Sequence, residues 1–235
     1  MQQKFPPDRA EKRQALLQAV DSVRDILAAH ADEAEEMRTL PAASVAALRE
    51  SGLFALKTPA VLGGAEADPM TQFAVLEAVA YIDSSAGWCL CIGAATLGLS
   101  AALLPDAAVA QIFAGVCVPT MAGALMPGKA VAVDGGYRVT GRWSWASGIR
   151  HAEWVTATVL VSRDEASPSE LRMLVVPAAK VEILDNWHVA GLKGTGSFDF
   201  ALSDLFVPAT FSYDLVALQP QRGISANIRR ISPHY

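Results

Sequence analysis

The sequence predicts an α+β fold: an N-terminal all-helical domain over residues 1–115, an antiparallel β-barrel-like domain over 116–210, and an irregular tail over 211–235. Three observations point this way. Apolar residues recur at helical spacing through the first half. From Cys117 onward, short β-prone segments alternate with turn residues. After Pro208 no sustained apolar face recurs at helical spacing.

Taken in order, Leu16, Val20, Val23 and Leu27 mark the inner face of a first helix, with charges between them. Pro41 opens a second, whose apolar face carries Val45 and Leu48 and which ends at Ser51-Gly52. Pro59 to Pro69 reads as a loop around Gly63-Gly64, and helices follow over about 70–82, 86–104 and 106–113. Strands are expected over 118–125, 130–134, 137–140, 154–162, 171–177, 181–184 and 197–202, with 163–170 as a polar hairpin tip. Ser84 to Pro105 holds no charge and is long enough to span a bilayer. It is rich in small residues, and Asp83 and Asp106 flank it with no Lys or Arg anchor nearby, so it reads as a buried helix and no membrane association is expected.

With 52% apolar and 18% charged residues, the 235-residue chain can bury a sizeable core. A net charge of −5 and the lack of a Lys/Arg stripe exclude nucleic acid as a partner; Arg222, Arg229 and Arg230 are too few to change that. Cys89, Cys91 and Cys117 fit reduced, buried thiols, and no Cys-x-x-Cys spacing supports a metal. The N-terminus has no apolar signal core, which predicts a cytoplasmic protein.

The chemically suggestive run is Gly141-Arg142-Trp143-Ser144-Trp145-Ala146-Ser147-Gly148-Ile149. It places a flat apolar wall, Trp145, beside a hydroxyl, Ser147, and a glycine, Gly148, whose backbone a planar ring could approach. A buried strand running into a turn would have the same composition. His151 and His188 could bind substrate or move protons, but flank strands where surface or core roles are commoner. Lys193-Gly194-Thr195-Gly196-Ser197 lacks the spacing and following helix of a phosphate loop, and reads as a turn.

This run resembles the Gly-x-Lys-x-Trp-Ile-Thr-Asn segment of the acyl-CoA dehydrogenase superfamily, with Trp145 on the family's tryptophan and Ser147 on its threonine. Trp187-His188-Val189-Ala190-Gly191-Leu192-Lys193-Gly194-Thr195-Gly196-Ser197, with Asp204-Leu205-Phe206-Val207-Pro208, is similar to the closing strands of the family's middle domain. Leu62-Gly63-Gly64-Ala65-Glu66-Ala67-Asp68 resembles its Gly-Gly loop. The resemblance implies a flavin whose N5 edge meets Ser147, with Thr195 and Ser197 near it.

Within that superfamily, dehydrogenases oxidise acyl thioesters. Two-component monooxygenases instead take reduced flavin from a separate reductase and hydroxylate an aromatic or similar small molecule with O2. Met121-Ala122-Gly123-Ala124-Leu125-Met126-Pro127-Gly128-Lys129-Ala130 lacks the acid and hydroxyls of the dehydrogenase loop, and Ser84-Ser85-Ala86-Gly87-Trp88 resembles the oxygenase helix start. The expectation is therefore an oxygenase component. Trp88, Ala122, Ala124, Trp145, Ser147 and Gly148 would bind the cofactor, reduced FMN or FAD with a lean toward FMN; Trp88 could equally be a core aromatic. No metal is expected. The resemblance places the catalytic base or histidine, and the contacts of a homo-oligomer, in a C-terminal four-helix domain for which the sequence after Pro208 gives no signal, which predicts a truncated chain. A dehydrogenase-like flavoenzyme and a non-catalytic remnant are the alternatives.

Overall fold

The computed structural model describes residues 5–162 and 169–222. The first helix, α1 (Arg9–Ala29), starts where the Asp8 carboxylate accepts from the Ala10 and Glu11 amides at 2.9 and 3.0 Å. Leu16, Val20, Val23 and Leu27 are its buried stripe, as their spacing predicts. Then comes α2 (Ala31–Met37), a short helix with no counterpart in the sequence reading, ended by Arg38 in the left-handed region at φ 56°. Next are α3 (Ala42–Glu50), opened by Pro41, and α4 (Pro69–Ile82), capped by Asp68. α5 (Ser84–Leu103) and α6 (Asp106–Ile112) complete the helical layer.

By length and composition α5 could cross a membrane, yet most of that span is buried inside the protein. Small residues let neighbouring elements come close. A Cβ on Gly87 would lie 2.8 Å from the Ala80 Cα on α4. Cys89, Leu90 and Ala94 of α5 join the core of the helical layer, whereas Leu97, Ala101 and Leu103 join the core against the sheet. One helix thus belongs to both hydrophobic cores.

Among the described residues, seven strands form one sheet: β1 (Met121–Val133), β2 (Gly136–Ala146), β3 (Trp154–Ser162), β4 (Glu170–Pro177), β5 (Glu182–Leu184), β6 (Phe198–Pro208) and β7 (Ser212–Asp214), in the order β5-β6-β2-β1-β3-β4-β7. β4 and β6 are not neighbours in that order but still approach each other, so the sheet curls. Its centre holds Trp143, Phe198 and Phe200; the Trp143 and Phe200 rings stack at 5.1 Å, and the Trp143 indole donates to the Thr158 carbonyl at 2.8 Å.

Several expectations need correction. The sheet is not wholly antiparallel, because β1 and β3 pair in parallel. The two strands expected at 118–125 and 130–134 are one strand, interrupted by a bulge between Ala124 and Gly128 that accommodates Pro127 without ending the pairing. β2 and β6 extend well beyond 137–140 and 197–202. The stretch expected to be irregular from 211 begins with β7, paired to β4; residues 223–235 lie outside the described residues, as do 163–168 of the expected hairpin tip. The three cysteines are free, but only Cys89 is buried; Cys117 is exposed.

Candidate functional site

Between α5 and the sheet lies a cavity of about 700 Å³ with a largely apolar wall, within the size range of cofactor pockets. Trp88, Ile92, Ala95, Thr96 and Leu99 of α5 form one side; their spacing puts them on a single helix face. Ala124, Leu125 and Met126 come from the β1 bulge, which turns the last two side chains out of the strand.

The opposite wall is shaped by a second bulge. Between Trp143 and Ala146, β2 has one residue more than its β6 partners Phe200 and Phe198. The extra residue breaks the in–out alternation: Trp143 is fully buried, whereas Trp145 stands 68% exposed at the cavity rim. Trp145 sits at φ 65°, uncommon for a bulky residue and costing on the order of 1–3 kcal/mol, so its surroundings must hold it there. The buried Asp199 does so, accepting from the Trp145 amide at 3.3 Å, the Ser144 hydroxyl at 3.2 Å and the Arg142 Nε at 2.9 Å. Burial alone would favour the neutral acid. The hydrogen bonds, led by that of Arg142, outweigh it and hold the carboxyl below the usual carboxylate range.

Polar groups converge at one point of this apolar wall. The Trp88 indole N–H donates to Ser147 Oγ at 2.9 Å. Ser147 Oγ lies 2.7 Å from Ser197 Oγ, which lies 2.7 Å from Thr195 Oγ1, and Thr195 donates to the Leu192 carbonyl at 2.9 Å. The turn carrying Thr195 is fastened from α2: Glu35 accepts from the Lys193 and Gly194 amides at 3.1 and 2.9 Å and from the Ser85 hydroxyl at 2.8 Å. Burial works against ionisation of Glu35 as well, but the bonds from Gly194, Ser85 and Lys193 lower its pKa below the usual value.

Of the residues expected to bind a cofactor, the cavity brings together Trp88, Ala124, Trp145 and Ser147. Ala122 is fully buried in the core and Gly148 does not line the cavity. Gly148 serves the turn instead: it adopts φ 77°, donates to the Thr195 carbonyl at 2.8 Å, and a Cβ there would meet the His151 ring at 2.7 Å. The histidines are elsewhere. His151 is largely buried away from the cavity, and burial pushes its pKa down to about 4. His188 lies beside the Arg38–Asp185 ion pair. Glu35 and Asp199 were not anticipated, and neither touches the cavity.

Residues 9–124 match the acyl-CoA dehydrogenase N-terminal domain family. The chain is 33% identical over 196 residues to the oxygenase subunit HsaA of a flavin-dependent monooxygenase from Mycobacterium tuberculosis, covering 83% of this chain and 49% of that protein. It is equally 33% identical over 204 residues to the oxygenase component of an FADH2-dependent resorcinol hydroxylase from Rhizobium sp., covering 86% and 49%. The solved structure of XiaF from Streptomyces sp. in complex with FADH2 and glycerol superposes with a TM-score of 0.84 at 30% identity, over 90% of this chain and 53% of that one. The chain spans about half the length of the curated relatives it matches. On sequence and fold together, it belongs to the acyl-CoA dehydrogenase superfamily and groups there with the oxygenase components of two-component flavin-dependent monooxygenases.

Proposed function

We propose that this chain carries the flavin-binding part of a monooxygenase oxygenase component, which hydroxylates a small aromatic molecule using O2 and reduced flavin delivered by a separate reductase. The observation that carries this reading is the set of hydrogen-bonding hydroxyls around Ser147 on the wall of an otherwise apolar cavity. The bound flavin supplies the electrons that activate O2. Trp145 and Trp88 offer flat apolar surface to its ring, and Ser147 holds the N5 edge. Leu99, Leu125 and Met126 extend the apolar wall that a bound flavin would cover, and displacing water from it would strengthen each polar contact. The relatives' names favour FADH2, while the Met121–Ala130 stretch, without the dehydrogenase loop's hydroxyls, favours FMN.

Among the described residues, no histidine or carboxylate lines the cavity. Exposed Phe73 and Tyr81 on α4 suit contact with another subunit in a homo-oligomer, and three free thiols suit the cytoplasm.

The test is anaerobic titration of the folded protein with reduced FMN and reduced FAD, followed by O2 and resorcinol as a probe aromatic. Saturable binding of either reduced flavin supports the reading, and Ser147→Val should weaken it roughly tenfold, the worth of one hydrogen bond in a dry site. A folded chain that binds neither flavin would overturn it. Flavin reduction by an acyl thioester would point to dehydrogenase chemistry instead.

A further inference from the structure

The hydroxyls that link Trp88 to Leu192 have a direction. A hydroxyl carries one proton and two acceptor positions, an indole N–H only donates, and a carbonyl only accepts. Between the Trp88 indole and the Leu192 carbonyl stand three hydroxyls in series, Ser147, Ser197 and Thr195, joined by contacts of 2.9, 2.7, 2.7 and 2.9 Å. Four contacts must be filled by four protons. With a donor at one end and an acceptor at the other, one assignment satisfies them all: Trp88 donates to Ser147, Ser147 to Ser197, Ser197 to Thr195, and Thr195 to the carbonyl. The Ser147 proton is therefore committed to Ser197, and what Ser147 has left to offer a ligand in the cavity is a lone pair. Reversing that polarity would break one of the four bonds, most directly by drawing the Thr195 hydroxyl off the carbonyl.

The two redox states of a flavin differ at the atom that would meet this lone pair. Reduced flavin carries a hydrogen on N5 and donates; oxidised flavin presents an N5 lone pair and accepts. We propose that the one-way hydroxyl chain, stopped at the Leu192 carbonyl by Thr195, makes Ser147 an obligate acceptor and so selects reduced over oxidised flavin. Thr195 and Ser197 are then positioning residues that set redox-state specificity through Ser147. The inference rests on the reading that a flavin places N5 against Ser147. The same chain makes the site release its flavin once oxidised, which suits a cofactor that arrives reduced from another protein and leaves for the next cycle.

The experiment measures dissociation constants for the oxidised and reduced forms of FMN and of FAD, anaerobically and by ultrafiltration with absorbance detection, together with the midpoint potential of the flavin that binds. Wild-type protein should favour the reduced form by roughly tenfold or more, about the discrimination one buried hydrogen bond supplies. In Thr195→Val, the Ser197 proton loses its acceptor and turns to Ser147, freeing the Ser147 proton for the cavity. In Ser197→Ala, the Ser147 proton is freed directly. Both variants should cut the reduced-to-oxidised preference by roughly fivefold to tenfold. The midpoint potential should fall by about 30 mV for each tenfold lost in this two-electron couple. Thr195→Ser, which keeps the hydroxyl, should keep the ratio and the potential.

A variant that merely loosens the fold weakens both redox states together; a ratio and potential unchanged in Thr195→Val and Ser197→Ala would overturn the proposal while leaving the flavin site standing. Equal wild-type affinity for the two states would do the same. Wild-type protein that binds neither redox state of FMN nor of FAD would overturn the flavin reading and the proposal with it.

Discussion

At Trp145 a single backbone angle decides which way an indole faces, and the Asp199 carboxylate holds that angle. Asp199→Ala removes the acceptor for the Trp145 amide, Ser144 and Arg142 at once. It should cost about 2 kcal/mol in urea unfolding and weaken reduced-flavin affinity by misplacing the indole. His151 gives a second prediction at this scale. Its pKa is lowered from 6.5 to about 4 by burial, so the folded protein holds it neutral while the unfolded chain protonates it. Its contribution is complete above about pH 6.5 and is lost as the pH falls toward 4, with a slope of at most about 1.4 kcal/mol per pH unit. His151→Gln should flatten that part of a denaturation-midpoint-against-pH curve. The Trp145–Ser147 pair was legible as chemistry because a tryptophan, a hydroxyl and a glycine stand close in the chain. Asp199 and Glu35 were not, since each acts on partners many positions away, and neither is distinguishable in sequence from a solvated carboxylate.

At the scale of elements, close approach of α4 and α5 depends on Gly87. A methyl there meets the backbone of Ala80 at 2.8 Å, and backbone yields little. Gly87→Ala should therefore destabilise by roughly 1–3 kcal/mol in chemical denaturation despite the better helix propensity of alanine. Helices with a buried stripe, such as α1, were readable from periodicity, and strands such as β3 from a β-prone run bounded by turn residues. α2 was not: its residues Ala31–Met37 include four carboxylates and only Ala34 is buried, so no stripe announces it. It docks through Glu35 on the 193–195 turn, a contact between residues far apart in the chain. Both bulges escaped detection too. A bulge is defined by mismatch with a partner strand, and β1 and β2 meet their mismatched partners β3 and β6 only in the folded sheet.

For the whole molecule, α5 is the member common to both hydrophobic cores. Loss of either core exposes one half of this helix and removes support for the other. Helical and sheet layers should therefore unfold together, with coincident far-UV and near-UV circular dichroism transitions; two separated transitions would contradict this coupling.

The β2 bulge has an optical consequence as well. Trp143 is sealed inside the sheet, while two residues on Trp145 stands in solvent and Trp88 is 46% exposed across the cavity. One strand thus carries a shielded chromophore and a wet one side by side. Indole emission from the wet pair should be red-shifted and quenchable by acrylamide, and should dim when anything flat enters the cavity. The protein is its own fluorescent gauge of occupancy: Trp187, also in the cavity wall, and half-buried Trp154 add to the emission, and Trp143 supplies its shielded component.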